Sequence, residues 1–429
     1  MSSFKRSALL LLMVLPLLLF SGCSPEPGLN EEETLPLNGD IIVLGSGMAG
    51  LTAALEGARH GASVILCYNE LQNDRWMWRD GALGTGEDGD IAALERALHD
   101  YGQGEGQGWH YKLLSRHADE SLAWLIGETG LEVVPAEGFR YLPENISYAQ
   151  AQSRLVSKAL EEGIRILQGI LVEELLISSN GKAAGIKFID SHGLKYTAYA
   201  PAVILADGGY LNDPQRIKEL SPGITVASWR GSGEGEGMKL ARAAGLDLVN
   251  EGRFSYALAI EEEQNWVEVN PPPGTLLIVD DQIYPFPQRA DADLVNSILN
   301  SAAGIGYLLV AEAGLGPEHE LSWPRYPGIG AFLEAYRIDL PSLYRWFSRP
   351  QGYFYGCPVK AAAAYCLGGI AVDESGAVLR AGKPVEGLYA IGETAGGLNG
   401  AALMPGAALT EALVWGRRIG EAAARYALE

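Results

Sequence analysis

Three glycines near the start of the folded chain have the spacing that binds the phosphates of a dinucleotide. They are Gly45, Gly47 and Gly50, in the segment GDIIVLGSGMAGLTAALEGARHGASVILCYNE. The first permits a tight turn, the second lets the backbone approach a pyrophosphate, and the third lets a helix pack closely on a strand. The N–H groups of the next turn, which includes Met48 and Ala49, would face the phosphates. The spacing therefore predicts a bound dinucleotide.

The residues around these glycines predict the strand, turn, helix and strand that such chemistry requires. Ile41–Leu44 is a continuous apolar run, which is typical of a buried strand. A helix should follow as far as about His60 and end at Gly61, and residues 63–67 should form a second strand. This order of elements is the context in which the glycine pattern is specific.

The end of the second strand departs from the usual dinucleotide pattern. An Asp or Glu normally holds a ribose hydroxyl at this point. This chain has Tyr68 there, and Glu70 follows two residues later. The Tyr68 hydroxyl or the Glu70 carboxylate could make the ribose contact, so both are candidate cofactor residues.

Two later apolar runs, in YAPAVILADGGYLND and GLYAIGETAGG, also end in glycine-rich turns. Each run is typical of a buried strand. The role of Asp207, in the first of these turns, is left open. It could be no more than a polar turn residue, because such residues are common before two glycines. The candidate cofactor residues of the two turns are Gly208, Gly209, Gly392 and Glu393.

Taken together, these segments resemble the flavoprotein subunits of the fumarate reductase and succinate dehydrogenase superfamily, which includes soluble fumarate reductases, urocanate reductase and 3-ketosteroid dehydrogenases. The resemblance runs from about Asp40 to Ala427. Its further landmarks, in order, are ESLAWLIGETGLEV, GEGEGMKLARAAGLDL, GTLLIVDD, YCLGGIAVD, GLYAIGETAGGLNG and VWGRRIG.

The resemblance implies FAD as the cofactor. It places Glu393 beside the FAD ribitol, although a carboxylate at the end of a surface strand is the alternative. The segment PGAALTEAL should begin a helix whose first N–H groups, around Ala408 and Leu409, face the flavin pyrimidine oxygen and stabilise negative charge there.

The resemblance also implies an α/β fold, with a doubly wound, Rossmann-like FAD domain and an inserted α+β capping domain. Within it, Asn180-Gly181 predicts a hairpin turn, and the Pro-rich residues 261–290 are expected to lie outside any regular sheet. The expected divisions are a lipoprotein signal peptide (1–22), a flexible tether (23–38), the first segment of the FAD domain (39–229), a capping substrate domain (230–349) and the second segment of the FAD domain (350–429).

The dicarboxylate clamp of fumarate reductases is altered in this chain. The family uses histidines and an arginine, and the corresponding positions hold Ala364, Asn399 and Leu403. None of the six histidines lies in a site motif. Because charge-assisted hydrogen bonds are among the stronger ones, their loss predicts that fumarate and succinate are not substrates.

The proton donor of the reaction has three candidates. The segment that carries the family's acid arginine is changed, and Arg289 is the nearest substitute, unless it is an exposed loop charge. Tyr355 and Tyr365 lie near the expected flavin, and a phenol can donate a proton. The alternative for both tyrosines is core packing. Trp76 and Trp78 stand where the family has small residues, and they could stack on a ring or pack in the core.

The first residues resemble a bacterial lipoprotein signal. Lys5 and Arg6 precede an apolar run over residues 8–20, and LFSGC ends at Cys23. The resemblance implies lipidation (palmitate) of Cys23 and an extracytoplasmic protein of the bacterial cell envelope, anchored to the membrane. A plain signal peptide or an uncleaved anchor is the alternative.

Charge and cysteine content limit the possible partners. The net charge of -21 argues against nucleic acid, and the sequence has no c-type haem motif, so electrons are expected to pass through a separate carrier. Cys357 and Cys366 could form a disulfide in an oxidising compartment, but their spacing in the sequence does not decide whether they do.

The expected function is a membrane-tethered, extracytoplasmic FAD-dependent oxidoreductase. It would transfer hydride between the flavin and a small molecule that is not a dicarboxylate. One alternative is a flavin-binding lipoprotein that has lost catalysis and has a binding role. Another is an enzyme similar to the 3-ketosteroid dehydrogenases.

Overall fold

The computed structural model describes residues 37–72, 75–86, 89–221, 226–227, 233–262, 265–269, 271–286, 292–315, 321–347 and 352–429. Cys23 and the predicted signal segment lie outside these ranges. In chain order the helices are α1 (Met48–Arg59), α2 (Arg75–Asp80), α3 (Ile91–Tyr101), α4 (Gly108–Thr129), α5 (Tyr148–Glu161), α6 (Pro214–Leu220), α7 (Glu236–Ala243), α8 (Ala292–Leu299), α9 (Ile329–Tyr336) and α10 (Ala407–Leu428).

The strands follow the same chain-order numbering. They are β1 (Leu37–Asn38), β2 (Ile41–Leu44), β3 (Val64–Tyr68), β4 (Ala82–Leu83), β5 (Val133–Pro135), β6 (Arg140–Pro143), β7 (Arg165–Gln168), β8 (Leu171–Ile177), β9 (Ala183–Ile189), β10 (Lys195–Tyr199), β11 (Ala202–Leu205), β12 (Val226–Ala227), β13 (Leu248–Val249), β14 (Phe254–Glu262), β15 (Asn265–Glu268), β16 (Leu276–Val279), β17 (Gln282–Pro285), β18 (Gly306–Ala311), β19 (Arg325–Pro327), β20 (Tyr353–Cys366), β21 (Gly369–Ile370), β22 (Ala377–Arg380) and β23 (Lys383–Ala390).

A six-stranded sheet lies at the centre of the fold, in the order β22-β23-β11-β2-β3-β7. All neighbours are parallel except β22, which is antiparallel to β23. Strands β2 and β11 have the sequences IIVL and AVIL, and every residue in them is buried. Unbroken apolar runs are what a parallel sheet covered on both faces requires.

The two faces of this sheet are covered by different layers. Ile41 and Val43 pack in one core cluster with α1, α4, α5 and α10. Ile42 and Leu44 pack in a second cluster with the sheet β1-β10-β9-β8 and with α7. The α/β prediction is confirmed. The doubly wound arrangement is not confirmed, because a second sheet takes much of the place of a second layer of helices.

Helices α1 and α10 pack closely on the first face. A Cβ added at Gly420 would lie 2.4 Å from the Ala53 carbonyl oxygen, and one at Gly416 would lie 2.9 Å from that of Ala49. Only glycine allows the two backbones to approach so closely. The contact lays the middle of α10 along the first two turns of α1.

The hairpin predicted at Asn180-Gly181 is confirmed, because β8 and β9 pair antiparallel on either side of it. The tether prediction is wrong at its end, since Leu37 and Asn38 form β1 and pair with β10. The prediction that residues 261–290 avoid regular sheets is also wrong, since β15, β16 and β17 all belong to an eight-stranded sheet.

The prolines of that region sit where a sheet tolerates them. The Thr275 N–H donates to the Pro272 carbonyl, so residues 272–275 form a turn before β16. Pro285 lies in β17, which ends the strand path of the sheet. The assignment of residues 230–349 to a separate capping domain stays a prediction.

Strand β20 is the longest strand of the described residues, at 14 residues. It pairs with β14 and β18 and carries Cys357 and Cys366. At about 3.3 Å per residue these cysteines are roughly 30 Å apart, so they do not form a disulfide with each other. Among the residues that the structure describes, no helix combines the length and apolar character needed to cross a membrane.

Candidate cofactor and active site

The glycine turn after β2 has the geometry that its spacing predicts. Gly45 has φ +116°, and a Cβ there would lie 2.1 Å from the Ala206 carbonyl oxygen. A Cβ at Gly50 would lie 2.1 Å from the Gly45 carbonyl oxygen. Gly47 precedes α1 as its N-cap and supplies no side-chain cap. The N-terminus of α1 therefore presents free backbone donors.

A cavity of about 360 Å³ lies at the carboxyl ends of β3 and β11. Its size is within the range of roughly 300–1,000 Å³ that is usual for small-molecule sites. Tyr68 and Glu70, the two candidates for the ribose contact, both line it together with Gly45 and Asp207. Both candidates therefore stand in position for that contact, which stays a prediction.

Asp207 is more than a polar turn residue. Its Oδ2 accepts a 2.6 Å hydrogen bond from the N–H of Gly237 in the first turn of α7. Its Oδ1 is buried and has no hydrogen-bond partner among the described residues. Burial raises the pKa of the Asp207 carboxyl to about 6. An acceptor with no partner beside an open cavity is a group that a ligand can satisfy.

Gln72 separates this cavity from a smaller one and lines both. Its Oε1 accepts a 2.5 Å hydrogen bond from Gly47 N, and its Nε2 donates to the Asp207 carbonyl oxygen at 2.6 Å. Sequence reasoning missed this residue, because it lies in a loop that matches no motif.

The smaller cavity, of about 20 Å³, lies between the starts of α1 and α10. Helix α10 also begins without a side-chain cap, at Gly406. Most of the predicted cofactor residues line this cavity: Gly47, Met48, Ala49, Gly208, Gly392, Glu393 and Ala408. Leu409 follows in α10 and is buried. The structure thus brings together three turns that are distant in sequence.

Glu393 and Thr394 hold two of these turns in place. Glu393 Oε1 accepts from the Cys366 N–H at 2.8 Å, and a Cβ at Gly209 would lie 2.6 Å from that oxygen. Thr394 Oγ1 accepts from the Gly208 N–H at 2.9 Å. Glu393 is therefore not a surface acid, and its contact with FAD stays a prediction.

Tyr365 also lines the smaller cavity and is 3% exposed. Its Oη donates to Glu411 Oε1 at 3.5 Å, and Glu411 Oε2 accepts from Asn399 Nδ2 at 2.7 Å. Glu411 is fully buried in α10. Burial, and then the charge of Glu411, raise the pKa of Tyr365 well above its usual value. The phenol therefore stays protonated at neutral pH.

His110 extends this buried network. Its Nδ1 accepts from Trp415 Nε1 at 3.1 Å. Because an indole can only donate, the neutral imidazole carries its hydrogen on Nε2. That nitrogen lies 3.3 Å from Asn399 Oδ1 and 3.5 Å from Glu411 Oε2. His110 lies outside the sequence motifs, and its hydrogen-bond partners lie on α10 and the loop before it.

The other candidate proton donors lie elsewhere. Tyr355 is on β20 with Tyr365, and at about 3.3 Å per residue they are roughly 33 Å apart. The Tyr355 hydroxyl lies 3.4 Å from Glu312, which pairs with Arg325. The structure therefore does not place Tyr355 in the site. Arg289 lies outside the described residues.

The clamp positions hold groups with no free charge. Ala364 is buried, and the Leu403 N–H donates to Ser255 Oγ at 3.2 Å. The Asn399 amide is already bonded to Glu411. Of the two tryptophans, Trp76 packs edge-on against Tyr365 with ring centroids 5.8 Å apart.

Comparison with known proteins decides the family. A protein-family model described as "FAD binding domain" matches residues 40–264 and 317–409, which is more than half of the chain. The chain belongs to this family.

Curated members with similar sequences are reductases and oxidases. Fumarate reductase (cytochrome) of Shewanella frigidimarina is 23% identical over 444 residues, covering 90% of this chain and 77% of the relative. Vinyl phenol reductase of Lactiplantibacillus plantarum is 25% identical over 482 residues, covering 90% of this chain and 96% of the relative. L-aspartate oxidase of Halobacterium salinarum is 26% identical over 415 residues, covering 90% of this chain and 75% of the relative.

Solved structures show the same fold. The open conformation of a flavocytochrome c3 fumarate reductase superposes with a TM-score of 0.75 at 18% identity, covering 92% of this chain and 79% of that one. A 3-ketosteroid-Δ4-(5α)-dehydrogenase from Rhodococcus jostii gives a TM-score of 0.72 at 17% identity, covering 92% and 99%.

This FAD-binding protein is therefore an oxidoreductase related to the fumarate reductases, with FAD as its cofactor. The larger cavity, the uncapped α1 and the unpartnered Asp207 Oδ1 fit the adenosine and phosphate part of FAD. The expectation that fumarate is excluded gains no support from these relatives, since some of them are fumarate reductases. The substrate is accordingly a matter for proposal.

Proposed function

We propose that this protein is a membrane-tethered, extracytoplasmic FAD-dependent oxidoreductase acting on a carbon–carbon double or single bond of a neutral small molecule. The observation that carries the proposal is the pairing of Tyr365 with Glu411 beside the smaller cavity. This pair supplies a group that can hold and donate a proton, in a site where the residues at the clamp positions carry no charge.

Bound FAD would supply a hydride in its two-electron-reduced form, and in its oxidised form it would accept one in the reverse direction. Tyr365 holds the proton at Oη, and its raised pKa keeps it there until a basic carbon develops beside it. In a reduction, one carbon of the double bond takes the hydride and the other takes the Tyr365 proton. A proton from solvent then restores the Tyr365 hydroxyl, which donates again to Glu411.

The preference for a neutral substrate rests on the clamp positions. Asn399 is held by Glu411, and Ala364 and Leu403 have no group that could bind a carboxylate. Burying a dicarboxylate without partners is costly. Vinyl phenol reductase, a similar protein of comparable length, is by its name an enzyme for a neutral phenol.

The location is proposed from the first residues alone. The basic pair Lys5 and Arg6, the apolar run over 8–20 and the LFSGC segment support lipidation at Cys23. The absence of a c-type haem motif from the sequence supports a separate electron carrier. Metabolic labelling with a radioactive fatty acid tests the first point, and loss of the label in Cys23→Ala is the expected result.

A screen with reduced viologen as electron donor tests the reaction. The purified, FAD-loaded protein is offered 4-vinylphenol, a 3-ketosteroid and fumarate. We expect oxidation of viologen with a neutral substrate and none with fumarate. Rapid turnover of fumarate would refute the neutral-substrate proposal.

A second candidate is a flavin-binding protein with no turnover. The observation that favours it is the dicarboxylate clamp, where Ala364, Asn399 and Leu403 stand in place of the family's histidines and arginine. A flavin absorbance band with no activity across the screen would support this candidate.

A further inference from the structure

We infer that the Gln72 carboxamide is a gate for the cofactor, which occupies the position of a phosphate between Gly47 and Asp207 and has to rotate away before FAD binds. The inference rests on the FAD site and is independent of the reaction proposed above.

Gln72 occupies a hydrogen-bond donor that would face the phosphates of a bound dinucleotide. In a dinucleotide-binding turn, the N–H at the second glycine and the helix N-terminus face the pyrophosphate. Here Gly47 N donates to Gln72 Oε1 at 2.5 Å. A phosphate oxygen and this amide oxygen cannot hold the same N–H at that distance together, so the two compete.

The Gln72 side chain also crosses the opening between the two cavities. Gln72 Nε2 donates to the Asp207 carbonyl oxygen at 2.6 Å, so the carboxamide spans from the turn after β2 to the turn after β11. Gln72 lines both the 360 Å³ cavity and the 20 Å³ cavity. A dinucleotide that reaches from one cavity to the other has to pass through this position.

The backbone of Gln72 is held by hydrogen bonds, and its side chain is the part that can move. Its N–H donates to Ser46 Oγ at 3.0 Å, and its carbonyl accepts from Gln152 Nε2 at 2.9 Å. Gln152 Nε2 also donates to the Ser46 carbonyl at 2.9 Å. Ser46 and Gln152 are buried, so they hold the Gln72 backbone in place. Opening is therefore a rotation of the side chain rather than a movement of the loop.

The gate also selects between ligands. A nucleoside without phosphates fills only the larger cavity, and Gln72 can keep both of its hydrogen bonds. ADP and FAD bring a diphosphate to Gly47, and each has to displace them. Removal of the carboxamide should therefore strengthen the binding of ADP and FAD and leave the binding of adenosine unchanged.

The test uses the full-length chain, purified in detergent and stripped of cofactor, with FAD, ADP and adenosine as ligands in titration calorimetry. Gln72→Ala and the shorter Gln72→Asn, which cannot bridge the two turns, should bind FAD and ADP about 10-fold more tightly than the parent protein, as expected for the loss of two neutral hydrogen bonds. Adenosine affinity should not change. Gln215→Ala, on the exposed surface of α6, serves as the matched control and should leave all three affinities as they are.

Several results would overturn the inference. Unchanged FAD and ADP affinities in both variants would show that Gln72 does not obstruct the site. Weaker binding would show that Gln72 is an ordinary FAD ligand. Failure of the parent and of both variants to bind FAD would show that something other than Gln72 closes the site. Circular dichroism of each variant establishes that it is folded, and the Gln72→Asn variant provides the result if Gln72→Ala is not.

Discussion

Tyr365 Oη lies 3.5 Å from Glu411 Oε1, and both side chains are buried beside the smaller cavity. Tyr365 is the second-last residue of β20, whereas Glu411 is in the second turn of α10. The pair therefore joins the strand that comes from the eight-stranded sheet to the helix that borders the cofactor site. The single hydrogen of the phenol points at Glu411 in this arrangement, so the hydroxyl has to rotate about its C–O bond before the proton can pass to a substrate.

Two of the tyrosines on β20 give a direct test of the proton donor. Tyr365→Phe should lower turnover of the substrate found in the screen by about 100-fold, since a positioned proton donor contributes roughly 10²–10⁴-fold. Tyr355→Phe, at the other end of the strand, should leave turnover unchanged. Steady-state rates of the two variants make the comparison. Equal rates in the Tyr365 variant and the parent would remove that residue from the mechanism.

The buried network predicts a large loss of stability when Glu411 is removed. Glu411→Ala leaves Asn399 Nδ2 and the Tyr365 hydroxyl without their acceptor in a dry interior. We expect the free energy of unfolding to fall by about 3 kcal/mol or more, measured by urea denaturation. Glu421→Ala is the matched control on the same helix, because Glu421 is half-exposed and pairs with the exposed Arg425 of its own helix. That change should cost less than about 0.5 kcal/mol.

Two glycine-to-alanine changes should have opposite effects. A Cβ at Gly50 would lie 2.1 Å from the Gly45 carbonyl oxygen, so Gly50→Ala should displace the turn and abolish FAD binding. Gly127 lies within α4, where an added Cβ would point into open space, so Gly127→Ala should stabilise the fold by about 0.5–1 kcal/mol. Flavin fluorescence and thermal melting measure the two effects. Retained FAD affinity in Gly50→Ala would contradict the proposed turn.

The raised pKa of Asp207 predicts how the stability of the cofactor-free protein depends on pH. Burial raises the pKa of this carboxyl from 3.8 to about 6, so the folded state retains the proton over a range in which the unfolded state has lost it. The resulting stabilisation is complete below about pH 4 and is lost as the pH rises through about 6. Asp207→Asn should remove this component. The difference between the urea-unfolding curves of the parent and the variant from pH 4 to 7 isolates it, and parallel curves would contradict the raised pKa.

The same carboxyl should influence cofactor affinity. Asp207, Glu70, Glu234 and Glu236 line the larger cavity, and the cavity has no Lys, Arg or His in its lining among the described residues. Protonation of Asp207 removes one negative charge from the path of a diphosphate. We therefore expect FAD to bind more tightly at pH 5.5 than at pH 7.5 in the parent, with a smaller difference in Asp207→Asn, as measured by fluorescence titration.

Local patterns in the sequence were enough to predict the cofactor turn. The apolar runs of β2 and β11 and the spacing of Gly45, Gly47 and Gly50 are short-range signals, and each has one structural solution. The polar network could not be predicted in this way. His110 lies 289 residues from Asn399 in sequence, and Gln72 lies 135 residues from Asp207. Their chemistry arises only when the fold brings distant segments together.

The prolines of residues 261–290 show a different limit. Proline lacks the N–H that a central strand needs, so composition alone argued against a sheet. The structure places Pro285 on a strand at the end of the sheet path, where its missing donor is tolerated. Which strand lies at an edge depends on the pairing of segments distant in sequence.

The packing of α10 against much earlier parts of the chain also determines when, during synthesis, the cofactor site can form. Trp415 bonds His110 across 305 residues, and Thr410 accepts from the Leu83 N–H across 327 residues. Contacts of such long range form late and slowly, because the intervening chain has to be ordered first. A polypeptide still being synthesised has the phosphate-binding turn after β2 but lacks the helix that forms the other wall of the smaller cavity. Insertion of the cofactor is therefore expected to follow completion of the chain, and a fragment that ends before α10 should neither retain flavin nor resist proteolysis.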